Sequence, residues 1–121
     1  MQNACLVLIA HGSKNPEWAA PFRKLTADLR KDLGDDKVYL CFMEIAEPNL
    51  LEVAGEIMKT DAREYRLLPM FMAKGAHYNE DLPAQITQIK EAFPELKGEL
   101  LEPIGLHPLF LDLMRSVIKT L

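Results

Sequence analysis

The sequence predicts an α/β domain with a mainly parallel four-stranded sheet and helices on both faces. Three observations support this fold class. Apolar runs of strand length alternate four times with segments of helical periodicity. The first runs are continuously apolar, which is typical of strands buried inside a parallel sheet. The 121 residues match the size of one domain, and they contain no low-complexity stretch and no linker long enough to divide two domains.

Four segments are predicted to form the strands. Residues 4–10 are continuously apolar and end at His11. Residues 38–45 and 65–72 are apolar runs of the same kind, whereas residues 99–104 are shorter and more polar, which favours an edge position. Each strand is followed by a helical segment, so we expect right-handed crossovers between parallel neighbours.

The segments after the strands carry helical signals. In residues 16–33 apolar side chains recur every three or four positions. Asn15 is a suitable N-cap before Pro16, and Gly34 is a natural C-terminal stop. The other helices are predicted over residues 49–58, 82–93 and 108–121. The apolar positions of the first and last helices are Trp18, Phe22, Leu25, Leu29 and Leu33, then Leu109, Leu113, Val117 and Leu121.

Composition argues against several classes of function. The net charge of −4 at pH 7 is unfavourable for nucleic-acid binding, because phosphate contacts need a basic face. Residues 4–10 are too short to span a bilayer and lack the basic flank of a signal peptide. Cys5 and Cys41 lie in apolar runs without CxxC spacing, which indicates buried, reduced thiols. We therefore expect a cytoplasmic protein that binds neither nucleic acid nor membranes.

Titratable side chains gather at one predicted edge of the sheet. In open α/β sheets the ligand site lies beyond the carboxyl ends of the strands. His11 follows the first strand, Glu44 closes the second, His77 follows the third and His107 follows the fourth. Such a convergence of titratable groups predicts a functional site at this edge.

Glycines accompany these histidines. Gly12 follows His11 directly, and Gly75 precedes His77 by two residues. Glycine lets a backbone turn sharply or approach a ligand closely. His107 is interpreted more simply, as a residue that starts the last helix.

His11 and His77, together with a carboxylate, have the chemistry of a metal site. Neutral imidazoles are the commonest protein ligands of divalent transition metals, and two histidines with Glu44 would leave coordination positions open. Two alternatives stay open from the residues alone. The glycine-bearing loops precede helices as phosphate-binding loops do, but neither GxGxxG nor GxxxxGK[ST] is present. Ser13 is a candidate nucleophile, but the sequence lacks GxSxG.

Four segments carry a resemblance to a known family. LIAHGSKNPE, FMEIAEPNLLE, LPMFMAKGAHYNEDLP and EPIGLHPLF resemble, in this order, motifs of the CbiX-type small class II chelatases, the sirohydrochlorin cobaltochelatase and ferrochelatase family. The resemblance covers nearly the whole chain, and its HGS and G-x-H-x3-D-[IL]-P blocks are specific in combination. It implies one chelatase-like, flavodoxin-like domain over residues 1–121. It also implies a homodimeric enzyme that inserts a divalent metal into sirohydrochlorin without ATP.

The resemblance also assigns residues. His11 and His77 correspond to the metal-binding histidines and, with Glu44, to the catalytic groups. The metal is a substrate, with Co2+ as the first choice and Fe2+ or Ni2+ as alternatives. No organic cofactor is implied. The alternative function is a non-catalytic carrier of metal or tetrapyrrole. The chain departs from many relatives at Lys74 and Tyr78, which bears on recognition of the tetrapyrrole. The residues expected to contact the tetrapyrrole are Gly12, Ser13, Lys14, Lys74, Gly75 and Tyr78.

Overall fold

The computed structural model of the protein describes residues 4–121 and contains a four-stranded parallel sheet. The strands lie in the order β2-β1-β3-β4, and every neighbouring pair is parallel. This order places the first and third strands at the centre of the sheet. The predicted fold class is therefore confirmed. The strands are β1 (Ala4–Ala10), β2 (Val38–Phe42), β3 (Glu64–Pro69) and β4 (Lys97–Leu100).

Four helices follow the four strands. Helices α2 and α3 pack on one face of the sheet, and α1 packs on the other face over β1 and β2. A single π-helical turn, His77–Asp81, leads directly into α3, and a short 3-10 turn, Ile104–Leu106, precedes α4. No helix of residues 4–121 is long and apolar enough to cross a membrane. The helices are α1 (Pro16–Leu33), α2 (Leu50–Met58), α3 (Leu82–Ala92) and α4 (Pro108–Lys119).

The predicted ends of α1 are confirmed. The Asn15 side chain accepts a hydrogen bond from the backbone N–H of Glu17, and Pro16 occupies the first turn, where its missing N–H costs nothing. Gly34 ends the helix with φ +114, a conformation that favours glycine, while its N–H donates to the carbonyl of Arg30.

The core is deepest between the sheet and the pair α2 and α3. Side chains of β1 such as Val7 and Ile9 are fully buried there, against apolar residues of both helices. Cys5 and Cys41 are free and buried, as predicted, and burial raises the pKa of each thiol. These thiols are packing groups that stay protonated at neutral pH.

Three strands differ from the predicted bounds. β2 stops at Phe42 rather than at residue 45, because Ile45 adopts φ +69, a left-handed conformation incompatible with a strand. β3 stops at Pro69 rather than at residue 72, although Met70 still donates its backbone N–H to the carbonyl of Ile9 at 2.8 Å. β4 occupies Lys97–Leu100, earlier than the predicted 99–104, and Pro103 lies beyond its end.

The apolar stripe of α1 is narrower than predicted. Trp18, Phe22 and Leu29 pack on the sheet, but Leu25 and Leu33 are exposed. Thr26, rather than Leu25, lies on the buried face of the helix. Its hydroxyl donates a hydrogen bond to the carbonyl of Phe22, so this buried polar group has a partner within the helix.

Candidate functional site

The loops after β1, β2 and β3 meet at the carboxyl edge of the sheet. Backbone hydrogen bonds join the first two loops, since Met43 donates to Ala10 and Glu44 donates to His11 at 2.8 and 3.1 Å. The parallel pairing of β1 with β3 brings the third loop to the same edge. The expected convergence of His11, Glu44 and His77 is therefore present.

The two histidine rings face each other. Their centroids lie 5.3 Å apart with an interplanar angle of 61°. The His11 ring also stacks on Phe71, with centroids 4.2 Å apart and an angle of 19°. Because Phe71 is buried in the core, this stacking fixes one face of the His11 ring.

His77 is held by a carboxylate. Its Nδ1 lies 2.6 Å from Oδ2 of Asp81, which ends the π-helical turn that His77 begins. A carboxylate oxygen accepts here, so Nδ1 carries the proton and Nε2 of the neutral ring keeps a lone pair. Asp81 was not predicted as a site residue. Its signal was the spacing of four residues from His77, which places both side chains on one helical face.

The electrostatics of the edge keep His11 neutral. Burial lowers the pKa of the His11 imidazole, and the charge of His77 lowers it further. The nearby Glu44 carboxylate opposes both effects by attracting the protonated ring. A neutral imidazole is the form that binds a metal ion or accepts a proton.

A small cleft lies beside His77. It has a volume of about 260 Å³ and includes the exposed Glu44 and the ion-paired Asp81. Within residues 4–121, no group of three or more His, Cys, Asp or Glu side chains is arranged to hold a metal ion. The histidines are thus a two-donor pair in these residues, and a metal-site role for Glu44 stays a prediction.

The two site glycines differ in their surroundings. Gly12 has φ +120, and a Cβ at this position would lie 1.8 Å from the Glu44 carbonyl oxygen. Gly75 has open space around the position of its Cβ. Gly12 is therefore required by the fold, whereas the free space at Gly75 is available to a ligand.

The other predicted contact residues surround this edge. The Ser13 hydroxyl accepts a hydrogen bond from the Asn15 backbone, and Lys14 is exposed. Lys74 lies 5.3 Å from the Tyr78 ring centroid and 3.8 Å from a carboxylate oxygen of Glu102. Tyr78 itself is half-buried against the core. Ser13 and Tyr78 thus support the loops at this edge.

His107 has the capping role that the sequence indicated. Its Nδ1 accepts a hydrogen bond from the backbone N–H of Leu109 at 3.1 Å, which caps α4. A ring nitrogen used in this way is not free to bind a metal. In the structure His107 therefore serves as a helix cap.

Comparison with known proteins gives a consistent set of relatives. The family model described as CbiX matches residues 5–121. A sirohydrochlorin cobaltochelatase of Sulfolobus acidocaldarius is 30% identical over 111 residues, which cover 92% of this chain and 86% of the relative. A sirohydrochlorin ferrochelatase of Priestia megaterium is 23% identical, but the match covers only 41% of that longer protein.

Solved structures give the same relationship. A CbiX protein of cobalamin biosynthesis from Marinobacter aquaeolei VT8 superposes with a TM-score of 0.85 at 28% identity, covering 97% of this chain and 93% of the other. The sirohydrochlorin chelatase SirB of Bacillus subtilis, in complex with cobalt, has the same TM-score at 17% identity. The matched region spans 51% of the SirB chain, and at this identity the likeness concerns the fold alone.

Proposed function

Because the chain belongs to the CbiX family, we propose that it inserts a divalent metal ion into sirohydrochlorin without ATP. Co2+ is the proposed first choice, with Fe2+ and Ni2+ as alternatives. The observation that carries the proposal is the facing pair of imidazoles, His11 and His77, at the carboxyl edge of the sheet. The relatives named above support both the reaction and its substrate.

The histidine pair suits an ion that must be released. Two imidazoles hold a divalent ion less firmly than the three or four protein ligands of resident metal sites. Inserting the ion displaces two protons from the pyrrole nitrogens. His11, which its lowered pKa keeps neutral, is a suitable acceptor for one of them once the ion has left its ring, and the other passes to solvent water. The exposed Glu44 beside His11 stabilises the protonated ring after that transfer. Metal binding by His11 and His77, and proton transfer by His11 with Glu44, are both part of this proposal.

The proposed substrate surface is apolar near the histidines. Ile45 and Met72 are 63% and 56% exposed and directly follow Glu44 and Phe71 in the chain. Apolar side chains of this kind suit the flat face of a macrocycle. Lys14, Lys74 and the backbone amides near Gly12 and Gly75 are proposed to meet its carboxylates, with Ser13 and Tyr78 at the rim.

One copy of the domain presents one side of such a site. A cleft of about 260 Å³ is smaller than the roughly 300–1,000 Å³ typical of pockets for small ligands, and a tetrapyrrole has two faces to contact. We infer that two copies, each a single chelatase domain over residues 1–121, face each other as a homodimer. The reduced thiols of Cys5 and Cys41 support a cytoplasmic location.

Product formation tests the proposed reaction. Sirohydrochlorin is mixed with the protein and with Co2+, Fe2+ or Ni2+ in separate reactions, and the absorbance change of the macrocycle is followed. We expect insertion above the uncatalysed rate with at least one ion, and the fastest ion gives the metal preference. Binding of metal or macrocycle without any rate increase would instead identify a carrier. The variant His107→Ala serves as the control, since His107 caps α4 and is expected to retain activity.

A further inference from the structure

The cleft beside His77 runs from the proposed metal site to the first turns of α3. One side comes from the loop after β2, and the other comes from the π-helical turn and the start of α3. Because Glu44 lines the cleft and also acts through its charge on His11, the inner end of the cleft lies beside both imidazoles. We call this space the acidic cleft, and its lining residues are Met43, Glu44, His77, Asp81, Ala84 and Gln85.

The charge of the acidic cleft suits a cation. Its acidic residues are Glu44 and Asp81, and none of the residues that line it in the described chain is a lysine or an arginine. Asp81 accepts its hydrogen bond from a neutral imidazole, so it keeps its negative charge. A larger groove of about 350 Å³ along β3 differs, because it is lined by Arg66 as well as Glu102. The two carboxylates of the acidic cleft attract a divalent ion and repel the carboxylates of a macrocycle.

Gln85 adds a neutral acceptor to the cleft. Its Nε2 lies 3.9 Å from the Sδ of Met43 and donates weakly to this sulfur. Met43 packs against the core, so the contact anchors the amide and turns its oxygen away from the sulfur. Water molecules bound to a cation donate hydrogen bonds, and they therefore need acceptors such as this amide oxygen and the two carboxylates.

The size of the acidic cleft fits a hydrated ion but not the macrocycle. Six water ligands occupy about 180 Å³, at about 30 Å³ for each molecule. The cleft has a volume of about 260 Å³, which holds such an ion with little room to spare. Pockets for small ligands measure roughly 300–1,000 Å³, and a tetrapyrrole is larger than most of those ligands.

We propose that the acidic cleft is the passage by which a hydrated divalent ion reaches His11 and His77, with Ala84 and Gln85 as its outer wall. The ion passes the carboxylate and amide acceptors and exchanges water ligands for the imidazole nitrogens. The inference rests on the proposed function for its meaning, because it gives the metal substrate an entrance of its own.

A separate entrance keeps two substrates of opposite charge apart. The proposed contacts of the macrocycle include Ile45, Met72 and Lys74, and none of these three lines the acidic cleft. A macrocycle on that surface therefore leaves the cleft accessible from the side of α3. The ion can then arrive after the macrocycle has bound as well as before.

Matched lysine substitutions on α3 test the passage. Ala84 and Gln88 are both exposed and lie one turn apart on the same side of the helix, and of the two Ala84 alone lines the cleft. Ala84→Lys places an ammonium group at the cleft, so kcat/KM for Co2+ should fall roughly 10-fold while KM for sirohydrochlorin changes less than about twofold. Gln88→Lys adds the same charge outside the cleft and should keep the wild-type values.

Both lysine variants should keep the wild-type circular dichroism, because lysine is a good helix former. No fall in Ala84→Lys, or equal falls in the two variants, overturns the proposal. Equal falls would mean that the ion responds to the general field of the protein rather than to the cleft.

Two substitutions of Gln85 should have opposite effects on the association rate of Co2+ with the free protein. Gln85→Leu removes the acceptor and should lower the rate roughly 5-fold, whereas Gln85→Glu adds a carboxylate and should raise it by a similar factor. The rates are measured at about pH 8, above the ordinary histidine pKa of about 6.5, so that the imidazoles are neutral in each variant. A merely structural role for Gln85 would lower the rate in both variants, and that result overturns its place in the passage.

Binding of Co2+ alone separates this inference from the proposed reaction. Stopped-flow mixing with a metal indicator gives the association rate without any macrocycle, and Ala84→Lys should slow it roughly 10-fold relative to Gln88→Lys. If these rates differ as expected but the wild type forms no product, the proposed reaction is wrong and the passage stands. If insertion is catalysed while both lysine variants bind Co2+ at the wild-type rate, the passage is wrong and the reaction stands.

Discussion

The two histidine-bearing loops reach the same point by different means. The loop after β1 is fixed by packing, because Gly12 lies against the backbone of Glu44 and the His11 ring stacks on buried Phe71. The loop after β3 is fixed by a polar contact, in which Asp81 holds the ring of His77 from the same π-helical turn.

This difference separates two ways of preparing an imidazole. Packing on Phe71 shields part of the His11 ring, and this partial burial lowers its pKa, which favours the neutral ring. The Asp81 contact sets which nitrogen of His77 carries the proton and where the other nitrogen points. Substitution of Gly12 should therefore act on stability, changes around His11 on its proton affinity, and substitution of Asp81 on the orientation of His77.

Removing either imidazole should give the largest effect. His11→Ala and His77→Ala are each expected to lower the rate of metal insertion by roughly 1,000-fold, within the range for loss of a catalytic acid or base. Both side chains are at the edge of the fold, so the thermal midpoint should change little. Absorbance assays with the preferred metal measure the rate, and His107→Ala is the control. If His107→Ala is the most damaging of the three, the assignment of the site is wrong.

Alanine substitutions at Gly12 and Gly75 should differ in how much they destabilise the fold. Gly12→Ala is expected to destabilise the fold by about 3 kcal/mol or more, because a strained left-handed conformation costs about 1–3 kcal/mol and overlap with the Glu44 carbonyl adds to it. Gly75→Ala should change stability by less than about 1 kcal/mol, since its Cβ meets open space. Urea unfolding measures both. Equal destabilisation by the two variants would contradict the contrast between the loops.

Gly75→Ala also tests the proposed substrate contact. If the macrocycle uses the open space at Gly75, the added methyl group should raise KM for sirohydrochlorin while the fold stays intact. An unchanged KM would remove Gly75 from the set of proposed contact residues.

Replacing the Asp81 carboxylate, which positions His77, should have an intermediate effect on metal insertion. Asp81→Asn is expected to lower metal affinity or activity by roughly 10-fold, as is usual when the outer partner of a metal-binding histidine is changed. The amide can still contact Nδ1, but it can donate as well as accept and no longer selects one tautomer. The ring signals of His77 in NMR spectra report the tautomer directly. Glu80→Gln, a neighbouring change on the same turn, is the matched control.

The sequence was sufficient for the fold class and for the meeting of His11 with His77. Both follow from local signals, namely the alternation of apolar runs with amphipathic segments and the rule that parallel strands end at one edge. The predicted resemblance to the CbiX-type chelatases is confirmed by the family match. The capping role of His107 also follows from sequence, because the residue stands directly before a proline-started helix.

Other features were missed, one because a helix start was misplaced locally and others because they depend on contacts between distant segments. The role of Asp81 was missed because the helix was expected to begin at residue 82, whereas a π-helical turn already starts at His77. The need for glycine at position 12 comes from the backbone of Glu44, 32 residues later in the chain. The stripe of α4 was predicted correctly as a pattern, but periodicity alone does not say which surface covers it.

The smallest expected effect concerns the proton affinity of His11. Its pKa should lie below the ordinary histidine value of about 6.5, so the acid limb of metal insertion should also lie below that value. Glu44→Gln removes an attraction for the protonated ring and should lower the pKa further. His77→Ala removes a repulsion and should raise it.

Titration of the His11 ring by NMR separates these two shifts in the free protein. Because the folded-state pKa is lowered, the contribution of His11 to stability is complete above the unfolded value and is lost as the pH falls through the folded value. Urea unfolding at several pH values should show that loss in the wild type and a smaller one in His77→Ala, where less repulsion remains. Shifts of the same sign in the two variants would mean that Glu44 and His77 do not act on His11 through their charges.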